Sequence, residues 1–547
     1  MAVQPTTGPT LGLEEELHVC DLASGDLRSS ADDLLAALST PATTAGLTAA
    51  GTVVAELPLS QIETVTGVGS SIEDLLGRAL TLRAAAAGAA TELGLGLLAS
   101  GSPPLGRAAD QRVSPDSRYD ALRERAAALV DQQLIAGMHL HVGVGDPTST
   151  AVDDEARVAV VEALRPWLPA LLALTANSPY WLGTDTGFAS YRQVHWQRWP
   201  VAGPPPSAQD AAQWHRSVAA LVDAGVVDDA SFVYWDVRLA TRFPTVEVRV
   251  ADVVPTLDDA AGFVAIVRGL AAGALAEHEA GRRAPGVRLS ALRAATWRAA
   301  RYGLAGQLVD PATGTLAPAV DVLRSMLRHA APGLEIAGDG DLARDGLARV
   351  FRDGNGADRQ RRAFERFGWE GVLDVVRVDP DASTPTVTSG DGNGWVACTC
   401  GQQHWGLHGA AGLLLTRPGA AGPEVLLQLR AAWTHQGGTW GLPGGARDSH
   451  ETTGEAARRE AWEEAGVEPG AVTVLGEDQD DHGPWSYTYV LARADDGVAA
   501  SPTNRESDAV EWVPVPQVDA RELHPAFAAA WPRLRTRLVA LAEVRER

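Results

Sequence analysis

The segment Gly12-Leu13-Glu14-Glu15-Glu16-Leu17 holds three consecutive carboxylates between apolar residues. If it forms a β-strand, its side chains alternate between two faces, so Glu14 and Glu16 share one face and Glu15 lies on the other with the leucines. Two neighbouring carboxylates on a half-buried face repel each other and lose hydration, so a cation is expected beside them. Glu15, on the opposite face, is expected to form a structural ion pair.

Two later segments repeat this alternation. His139-Leu140-His141-Val142 places two imidazoles on one face, and Val246-Glu247-Val248-Arg249-Val250 does the same with a carboxylate and a guanidinium. Each pair alone is well explained as the solvated face of an antiparallel strand, which is common. Because three such pairs occur in one domain, we favour the hypothesis that the strands line a single site for divalent metal and phosphate.

The overall composition excludes some partners and predicts more than one domain. A chain of 547 residues is too long for a single hydrophobic core. Its net charge of −23 and its isoelectric point near 5.0 argue against a nucleic-acid binder or a protein of anionic membrane surfaces, since both need a basic surface. The sequence contains no lysine, so anionic substrates must be attracted by local arginines or by metal.

Cysteine content and the N-terminal residues indicate the compartment. The three cysteines, Cys20, Cys398 and Cys400, do not form a disulfide framework, which favours a reducing environment. Residues 1–10 lack the basic region and apolar core of a signal peptide, and no uninterrupted apolar run is long enough to cross a bilayer. We therefore expect a cytoplasmic protein.

Residues 8–378 are predicted to form one α+β domain. Residues 53–59 and 61–65 have the pattern of strands, and helical spacing of leucine and alanine recurs in residues 32–38, 71–93, 120–133, 153–164, 258–280 and 317–330. The lack of regular strand–helix–strand spacing favours α+β over a doubly wound sheet. Residues 379–394, which have almost nothing to bury, are predicted to be a linker, and residues 395–547 are predicted to be a second domain.

Segments throughout the first domain resemble the carboxylate-amine ligases known as glutamate–cysteine ligase type 2. In the family's order they are Thr10-Leu-Gly-Leu-Glu-Glu-Glu16, Glu56, Ser60-Gln-Ile-Glu63, Arg118-Tyr119, Gly137-Met-His-Leu-His-Val-Gly143, Ala173-Leu-Thr-Ala-Asn-Ser-Pro179, Gly183-Thr-Asp-Thr-Gly187, Ser190-Tyr-Arg192, Tyr234-Trp-Asp-Val-Arg238, Thr245-Val-Glu-Val-Arg249, Asp252 and Gly356-Ala-Asp-Arg-Gln-Arg361. The resemblance implies a fold similar to glutamine synthetase, an antiparallel sheet shaped as a funnel with helices outside. It also implies an ATP-dependent ligase, in which the γ-carboxylate of glutamate attacks the γ-phosphate of ATP and the amine of cysteine attacks the acyl phosphate.

The acids of these segments predict a magnesium site, with manganese as an alternative, because hard divalent cations prefer oxygen ligands. The candidate metal ligands are Glu14, Glu16, Glu56, Glu63 and Glu247. His139 and His141 are expected to bind metal or the phosphates of ATP. Arg192 and Arg249 are expected to hold the transferring phosphoryl group or the substrate carboxylate, and Arg238 is a further substrate-binding candidate.

One segment departs from the family pattern. Family members usually continue with Pro-Ser after the arginine that corresponds to Arg238, whereas Leu239-Ala240 follows here. This difference predicts a reshaped substrate loop. The amine acceptor therefore stays open between cysteine, which the family name implies, and another amine.

A second motif lies in residues 445–467, which read Gly-Ala-Arg-Asp-Ser-His-Glu-Thr-Thr-Gly-Glu-Ala-Ala-Arg-Arg-Glu-Ala-Trp-Glu-Glu-Ala-Gly-Val. They meet the pattern Gly-x5-Glu-x7-Arg-Glu-U-x-Glu-Glu-x-Gly-U, where U is apolar, at every position, and so resemble a complete Nudix box. The resemblance implies an α/β/α sandwich domain that hydrolyses a nucleoside diphosphate linked to a group X, with a metal-activated water as nucleophile. The alternative is a binding module that senses a nucleotide and regulates the ligase.

Spacing within the box predicts one helix with an acidic face. Thr452 and Glu455 have the spacing of a capping box, and Gly466 is suited to end the helix. The acids on one face, which are the candidate magnesium ligands, are Glu460, Glu463 and Glu464. Glu463 and Glu464 are also the candidate catalytic residues. An exposed acidic helix face is the alternative for three glutamates alone, and the surrounding glycines and arginine disfavour it.

Two carboxylates outside this helical face are expected to support it. Glu451 is expected to orient Arg459, which lies within the box. Glu506, further along the chain, is expected to supply another carboxylate to the site.

Cysteines and histidines also cluster at the start of the second domain. Cys398-Thr-Cys400, His404 and His408 have the residue types of a zinc site. Their spacing is tighter than that of common zinc motifs, so the sequence favours packing over metal binding and leaves both open.

Overall fold

The computed structural model describes residues 8–39, 46–115, 117–145, 152–380, 395–398, 400, 403–419, 422–431, 436–447, 451–495, 498, 500–502 and 507–543. Contacts within the chain divide it into two units, Met1–Val387 and Thr388–Arg547. The division falls inside the predicted linker, of which residues 381–394 lie outside the described residues. The exact limits 8–378, 379–394 and 395–547 stay predictions.

The first unit is built on an antiparallel sheet. The strands of this unit are β1 Leu11–Asp21, β2 Gly51–Ala55, β3 Gln61–Thr66, β4 Leu95–Leu98, β5 Gly137–Gly143, β6 Tyr180–Trp181, β7 Thr184–Asp185, β8 Val237–Leu239, β9 Thr245–Asp252, β10 Gln307–Asp310 and β11 Thr315–Pro318. Seven of them form one sheet in the order β2-β3-β1-β5-β9-β8, with β4 also paired to β1, and every pairing in it is antiparallel. The predicted α+β class with an antiparallel sheet is therefore confirmed.

Helices cover this sheet and fill the rest of the unit. They are α1 Ala31–Leu38, α2 Ile72–Glu92, α3 Ser117–Ala126, α4 Ala128–Asp131, α5 Asp154–Leu164, α6 Leu168–Thr175, α7 Tyr191–Trp196, α8 Ala211–Asp223, α9 Leu257–Glu279, α10 Leu289–Tyr302, α11 Ala319–Ala337, α12 Gly340–Asp353 and α13 Gly356–Val376. Each predicted helix is present, although residues 120–133 form two short helices that are separated at Ala127, where φ is +50°. The strand predicted for residues 53–59 ends at Ala55, because Ala55 pairs with Ile62 of β3 and the residues between them form the connection between the two strands.

The two faces of β1 have the predicted contrast. Leu13, Glu15 and Leu17 are buried, whereas Glu14 and Glu16 are partly exposed. Glu15 accepts two hydrogen bonds from the Arg83 guanidinium of α2, at 2.6 and 2.9 Å. This confirms the structural ion pair expected for Glu15, and it leaves Glu14 and Glu16 on the face that is open to ligands.

The core helix α9 lies behind the sheet and is mostly buried. It begins with a capping box between Thr256 and Asp259 and packs against α5, α11 and α12. Gly262 lets α12 approach closely, because a Cβ there would lie 2.7 Å from the Cα of Gly346. Two segments, Asp154–Thr175 and Leu257–Glu279, are long and apolar enough to cross a membrane, but 89% and 72% of their most apolar windows are buried inside the protein. We interpret both as core helices.

The second unit is a mixed sheet between two helices. Its strands are β12 Trp395–Ala397, β13 Gln403–Trp405, β14 Ala410–Gly419, β15 Gly422–Arg430, β16 Trp440–Gly441, β17 Gly444–Ala446, β18 Val472–Asp481, β19 Ser486–Ala494 and β20 Ser507–Pro514, and its helices are α14 Thr453–Ala465 and α15 Pro525–Glu543. The main sheet has the order β16-β15-β14-β19-β18, with β17 on β14 and β20 on β15, and β14 runs parallel to β19. One core joins α14 to the sheet and another joins α15 to it. The predicted α/β/α sandwich is confirmed.

Candidate active sites

Strand register brings the acids and histidines of the first unit together. Glu16 of β1 lies opposite Glu63 of β3, and Glu14 lies opposite His139 of β5. His141 in turn lies opposite Glu247 of β9. Directly opposite residues of an antiparallel pair point to the same face, so one band of ionisable side chains crosses the sheet.

Within this band, possible ligand atoms lie within 4.8 Å of one another in three overlapping groups. The groups are Glu14 with Glu63 and His139, Glu14 with His141 and Glu247, and Glu16 with Glu56 and Glu63. The structure thus assembles every residue predicted as a metal ligand of the first unit. We call this set the carboxylate cluster.

The carboxylate cluster opens into a cavity of about 290 Å3. Its charged and polar lining comes from Glu14, Glu16, Glu56, Gln61, Glu63, Gln133, His139, His141, Arg192, Ser231, Tyr234, Arg238, Thr241, Arg242, Glu247 and Arg249. Five glutamates thus face four arginines, and each predicted ligase-site residue is present. The arrangement can hold both cationic and anionic groups.

Glu14 is held between the two histidines. Its carboxylate oxygens lie 3.3 Å from Nδ1 of His139 and 3.2 Å from Nε2 of His141. Burial raises the pKa of Glu14, but the hydrogen bonds and charges of the two histidines outweigh burial and lower that pKa below its ordinary value. Burial and the nearby charge of Arg249 lower the pKa of His139 to about 4. At neutral pH Glu14 is therefore ionised and His139 is neutral, with a lone pair able to bind a metal.

Glu16 and Glu63 are in the opposite electrostatic state. Burial and then the charge of Glu56 raise the pKa of Glu16 to about 7. The same two causes raise the pKa of Glu63 well above its ordinary value. Glu16 Oε2 accepts a hydrogen bond from the Gly137 backbone N–H at 2.5 Å. Nearby arginines therefore do not fully neutralise the negative charge of this part of the cluster.

Two arginines already neutralise Glu247. Arg238 binds its carboxylate with two hydrogen bonds, at 2.8 and 3.2 Å, and Arg249 donates a further hydrogen bond to it. Burial raises the pKa of Glu247, but Arg249 and Arg238 outweigh this and lower that pKa well below its ordinary value. The predicted metal ligands therefore differ in how far their charge is neutralised. Arginines hold the pKa of Glu247 low, whereas the pKa values of Glu16 and Glu63 are raised.

Arg192 and Arg249 share an aromatic support that the sequence interpretation missed. Their guanidinium carbons lie 5.7 and 5.5 Å from the ring centre of Trp196, which is a cation–π distance. Arg192 also donates hydrogen bonds to the backbone oxygens of Arg249 and Val250, at 3.1 and 3.4 Å. Trp196 follows Arg192 by four residues on α7, and this helical spacing was the available signal.

Gly137 is the second missed residue. A Cβ at this position would lie 2.3 Å from Nη2 of Arg192 and 3.0 Å from Nε2 of His139. A larger residue at this position would require the Arg192 and His139 side chains to shift beside the N–H that binds Glu16.

The helix of the Nudix box has the predicted ends. Thr452 and Glu455 form a capping box at the start of α14, and Gly466 ends the helix in the left-handed region at φ +66°. Glu464 is buried, and its carboxylate accepts a hydrogen bond from the Gly444 N–H at 2.8 Å. The Glu463 side chain and Glu506 lie outside the described part of the chain.

Arg459 links the remaining acids of the box. It donates two hydrogen bonds to Glu451, at 2.7 and 2.9 Å, and one to Glu460, at 2.8 Å. Burial lowers the pKa of Arg459, but Glu451 and Glu460 outweigh burial and raise it. The expectation that Glu451 orients Arg459 agrees with this geometry. Gly445 leaves room for this carboxylate, because a Cβ there would lie 2.5 Å from Glu460 Oε1 and would displace it.

The cysteine and histidine cluster differs from the predicted set in one member. Ligand atoms of Cys398, Cys400, His404 and His482 all lie within 4.8 Å of one another. His408, which the sequence suggested as the fourth member, is not in this group. His482 takes its place because the turn between β18 and β19 carries it to the β12–β13 hairpin.

Comparison with known proteins identifies both units. The family model of glutamate-cysteine ligase family 2 matches residues 10–378, and that of the NUDIX domain matches residues 406–534. A protein of Salinispora tropica named "Putative glutamate--cysteine ligase 2" is 41% identical over 375 residues, which cover 67% of this chain and 95% of that protein. One of Mycolicibacterium vanbaalenii, named "Putative glutamate--cysteine ligase 2-2", is 41% identical and covers 70% of this chain and 99% of its own length.

Two solved structures are similar to the two parts of the chain. A glutamate–cysteine ligase from Francisella tularensis in complex with AMP has a TM-score of 0.52 and 12% identity, covering 68% of this chain and 87% of that one, and so shows the same fold. A Nudix hydrolase from M. smegmatis is 48% identical, with a TM-score of 0.26, and covers 27% of this chain and 96% of that one. The chain belongs to glutamate-cysteine ligase family 2 and carries a Nudix hydrolase domain after its ligase domain.

Proposed function

We propose that the first unit, over residues 8–378, joins L-glutamate to L-cysteine with the consumption of ATP. The observation that carries this proposal is the carboxylate cluster, in which acids and histidines from four strands face arginines across one cavity. A glutamate carboxylate and a triphosphate repel each other unless their charges are offset locally. The net charge of −23 repels both anions further, so local cations are required to bring them together.

The donor set of the carboxylate cluster fits a divalent cation. Glu16, Glu56 and Glu63 present only oxygen atoms, which suit magnesium. The raised pKa values of Glu16 and Glu63 indicate that nearby cations do not fully neutralise the negative charge of this group. Glu14 and His139 add a second group of ligands at the other end of the cluster. When bound there, magnesium supplies electrostatic neutralisation of the phosphates of ATP. Manganese fits the mixed oxygen and nitrogen set as an alternative.

The arginines on the cavity wall are suited to the reacting anions. We propose that Arg249 and Arg192 hold the transferring phosphoryl group and the substrate carboxylate, with Trp196 keeping both guanidiniums in place. In the first step an oxygen of the glutamate γ-carboxylate bonds to the γ-phosphorus of ATP and the bond to ADP breaks. In the second, the amine nitrogen bonds to the acyl carbon, the bond from that carbon to the phosphate oxygen breaks, and the nitrogen releases a proton to solvent. Preorganised donors stabilise the charge that develops on phosphate in both steps.

A second candidate substrate for this unit is an amine other than cysteine. Ala240, Thr241, Arg242 and Phe243, which follow the departure from the family pattern at Leu239, all line the cavity. Phe243 and Arg242 are exposed, and the Phe243 ring meets His141 edge-on at 6.3 Å. We propose that this loop selects the second substrate.

The decisive experiment measures ADP release by the full chain with ATP, magnesium and glutamate. Release that requires both glutamate and cysteine, with γ-glutamylcysteine identified by mass spectrometry, is the expected result. Release that ignores cysteine and responds to another amine supports the second candidate. No amine-dependent release from a broad panel contradicts the ligase proposal.

For the second unit, over residues 395–547, we propose hydrolysis of a nucleoside diphosphate linked to a group X. The supporting observation is that Glu460 and Glu464 lie four residues apart on α14, with Arg459 and Glu451 fixed beside them. Glu460, Glu463 and Glu464 are the proposed magnesium ligands, and Glu463 and Glu464 the proposed catalytic carboxylates. The sensor alternative predicts nucleotide binding without turnover. A panel of nucleoside diphosphate derivatives, tested with the full chain and magnesium, separates the two by release of a monophosphate.

The cellular location stays a prediction. We infer a cytoplasmic protein from the low cysteine content of the sequence, which lacks a disulfide framework.

A further inference from the structure

We propose that Cys398, Cys400, His404 and His482 bind one zinc ion, which neither the ligase nor the hydrolase activity requires for its chemistry. The four possible ligand atoms all lie within 4.8 Å of one another, and Cys400 Sγ is 3.1 Å from Nε2 of His404. Zinc bonds of about 2.0–2.3 Å place the corners of a tetrahedral site about 3.3–3.8 Å apart. The cluster therefore needs only small side-chain shifts to enclose the ion.

Two separate hairpins of the second unit contribute the ligands. Cys398 and Cys400 follow β12, and His404 lies in β13, whose pairing places it opposite Val396. His482 lies in the turn from β18 to β19, where its N–H donates to the Trp485 carbonyl at 2.8 Å. His404 and His482 are more than 70 residues apart in the sequence. A bound ion would therefore join the first hairpin to the edge of the main sheet.

Aromatic packing holds the histidines in position. The His404 ring stacks on Trp485 at 4.2 Å with an angle of 10° between the planes, and it lies 4.6 Å from the His482 ring. The Trp485 indole N–H donates to the Trp405 carbonyl at 3.0 Å. Such packing limits the orientations that the two imidazoles can adopt, so the ligand set is partly preorganised.

The ligand chemistry selects zinc over the ions expected elsewhere in the protein. Two thiolates and two imidazoles are soft and intermediate ligands, which favour zinc over magnesium, whereas the carboxylate cluster offers mainly oxygen. Two thiolates also balance the charge of a divalent ion. Four protein ligands complete the zinc coordination shell and leave no position for substrate, which is typical of a structural site.

The chief competing arrangement is a disulfide between Cys398 and Cys400. Both the disulfide and the zinc site place the two sulfur atoms close together, but only zinc requires the histidines. Only the disulfide removes two thiols. The identity of the fourth ligand gives a further test of the zinc site. The structure indicates His482, whereas the spacing of the sequence suggested His408.

The test measures zinc in the full-length chain, purified without chelators and also after unfolding and refolding with zinc. About one tightly bound zinc per chain is expected, as for a single closed site. His482→Ala and Cys400→Ser should lower bound zinc at least tenfold, whereas His408→Ala and Cys20→Ser should retain it. Cobalt substitution of the unmodified chain should give a thiolate-to-cobalt charge-transfer band, which a metal in the carboxylate cluster cannot produce.

Several results would overturn the proposal. The first is that the unmodified chain retains no zinc and gives no cobalt charge-transfer band. The second is that the His482→Ala protein binds as much zinc per chain as the unmodified protein. Loss of two of the three thiols in the protein denatured without reductant would show the disulfide instead. The spectrum and the thiol count use the unmodified chain, so they decide the matter even where a variant fails to fold.

Discussion

Replacing Glu16 by glutamine tests whether the carboxylate cluster is built for a cation. Burial and the charge of Glu56 raise the pKa of Glu16 from 4.5 to about 7. The folded chain therefore binds more protons than the unfolded chain between these two values, and its stability falls as pH rises through that window. The shift of the pKa corresponds to about 3 kcal/mol at 1.36 kcal/mol per unit. Above pH 7 the metal-free protein bears this whole cost.

Glutamine keeps the size of the side chain and an oxygen that can accept the Gly137 N–H, but it has no charge. At about pH 8 the metal-free Glu16→Gln protein should thus be more stable than the unmodified protein, by at most about 3 kcal/mol. The same change removes a proposed metal ligand, so ligase activity should be lost. A gain of stability together with a loss of activity would show that the Glu16 carboxylate is required for ligand binding although it destabilises the folded protein.

The assay follows thermal unfolding of both proteins with and without magnesium, and measures ADP release and Nudix hydrolysis on the same samples. Glu15→Gln is the matched control, because Glu15 is adjacent in sequence but lies on the opposite face in a buried pair with Arg83. Breaking that pair should lower stability by about 3–5 kcal/mol. Hydrolysis should continue in both variants, provided that the second unit folds independently.

The reasoning fails if metal-free Glu16→Gln is destabilised as much as Glu15→Gln. It also fails if magnesium raises the unfolding temperature of Glu16→Gln as much as that of the unmodified protein. Either result would mean that Glu16 has a structural rather than a ligand-binding role.

Three further changes test other parts of the two sites. Glu464→Gln should lower hydrolysis by about 10²–10⁴-fold and leave ligation unchanged, and equal loss of both rates would contradict separate sites. Trp196→Leu removes the ring that supports Arg192 and Arg249 and should lower ligase kcat/KM by about 2- to 30-fold, the equivalent of about 0.5–2 kcal/mol; an unchanged value would exclude this support. Arg242→Ala should raise the KM for an anionic substrate by about tenfold, or about 1.4 kcal/mol of binding, with little change in kcat. The exposed Arg216 on α8, which does not line the cavity, is its control, and an equal effect of Arg216→Ala would indicate general charge steering.

The sequence was sufficient to identify which residues of the sheet are chemically important. Alternation along β1 assigned Glu14 and Glu16 to one face and Glu15 to the other, because the side-chain period of a strand is fixed by its backbone. The sequence could not say which strands are neighbours. The pairing of Glu16 with Glu63, which adds to the effect of burial, Glu56 and Glu14 in raising the pKa of Glu63, follows from a register that only the folded sheet defines.

Residues outside the repeated pattern were harder to predict. Trp196 is one of 16 tryptophans, and its spacing from Arg192 could indicate one guanidinium beside the ring but not the second, which Arg249 supplies from β9. His482 was missed for a related reason, since spacing along the chain favoured the nearby His408. Both errors come from contacts between distant segments, which local patterns do not report.

The two proposed magnesium sites are assembled by different routes, and this has a thermodynamic consequence. Glu460 and Glu464 lie on one helix, so their separation is set as soon as α14 forms. Glu14, Glu16 and Glu63 come close only when β1, β3 and β5 pair, so the carboxylate cluster does not exist in the unfolded chain. Binding to such a site is linked to folding, and an ion at 100 times its dissociation constant adds about 2.7 kcal/mol to stability. That amount is similar to the cost of the raised pKa of Glu16, so the bound ion would restore the stability that the empty cluster gives up.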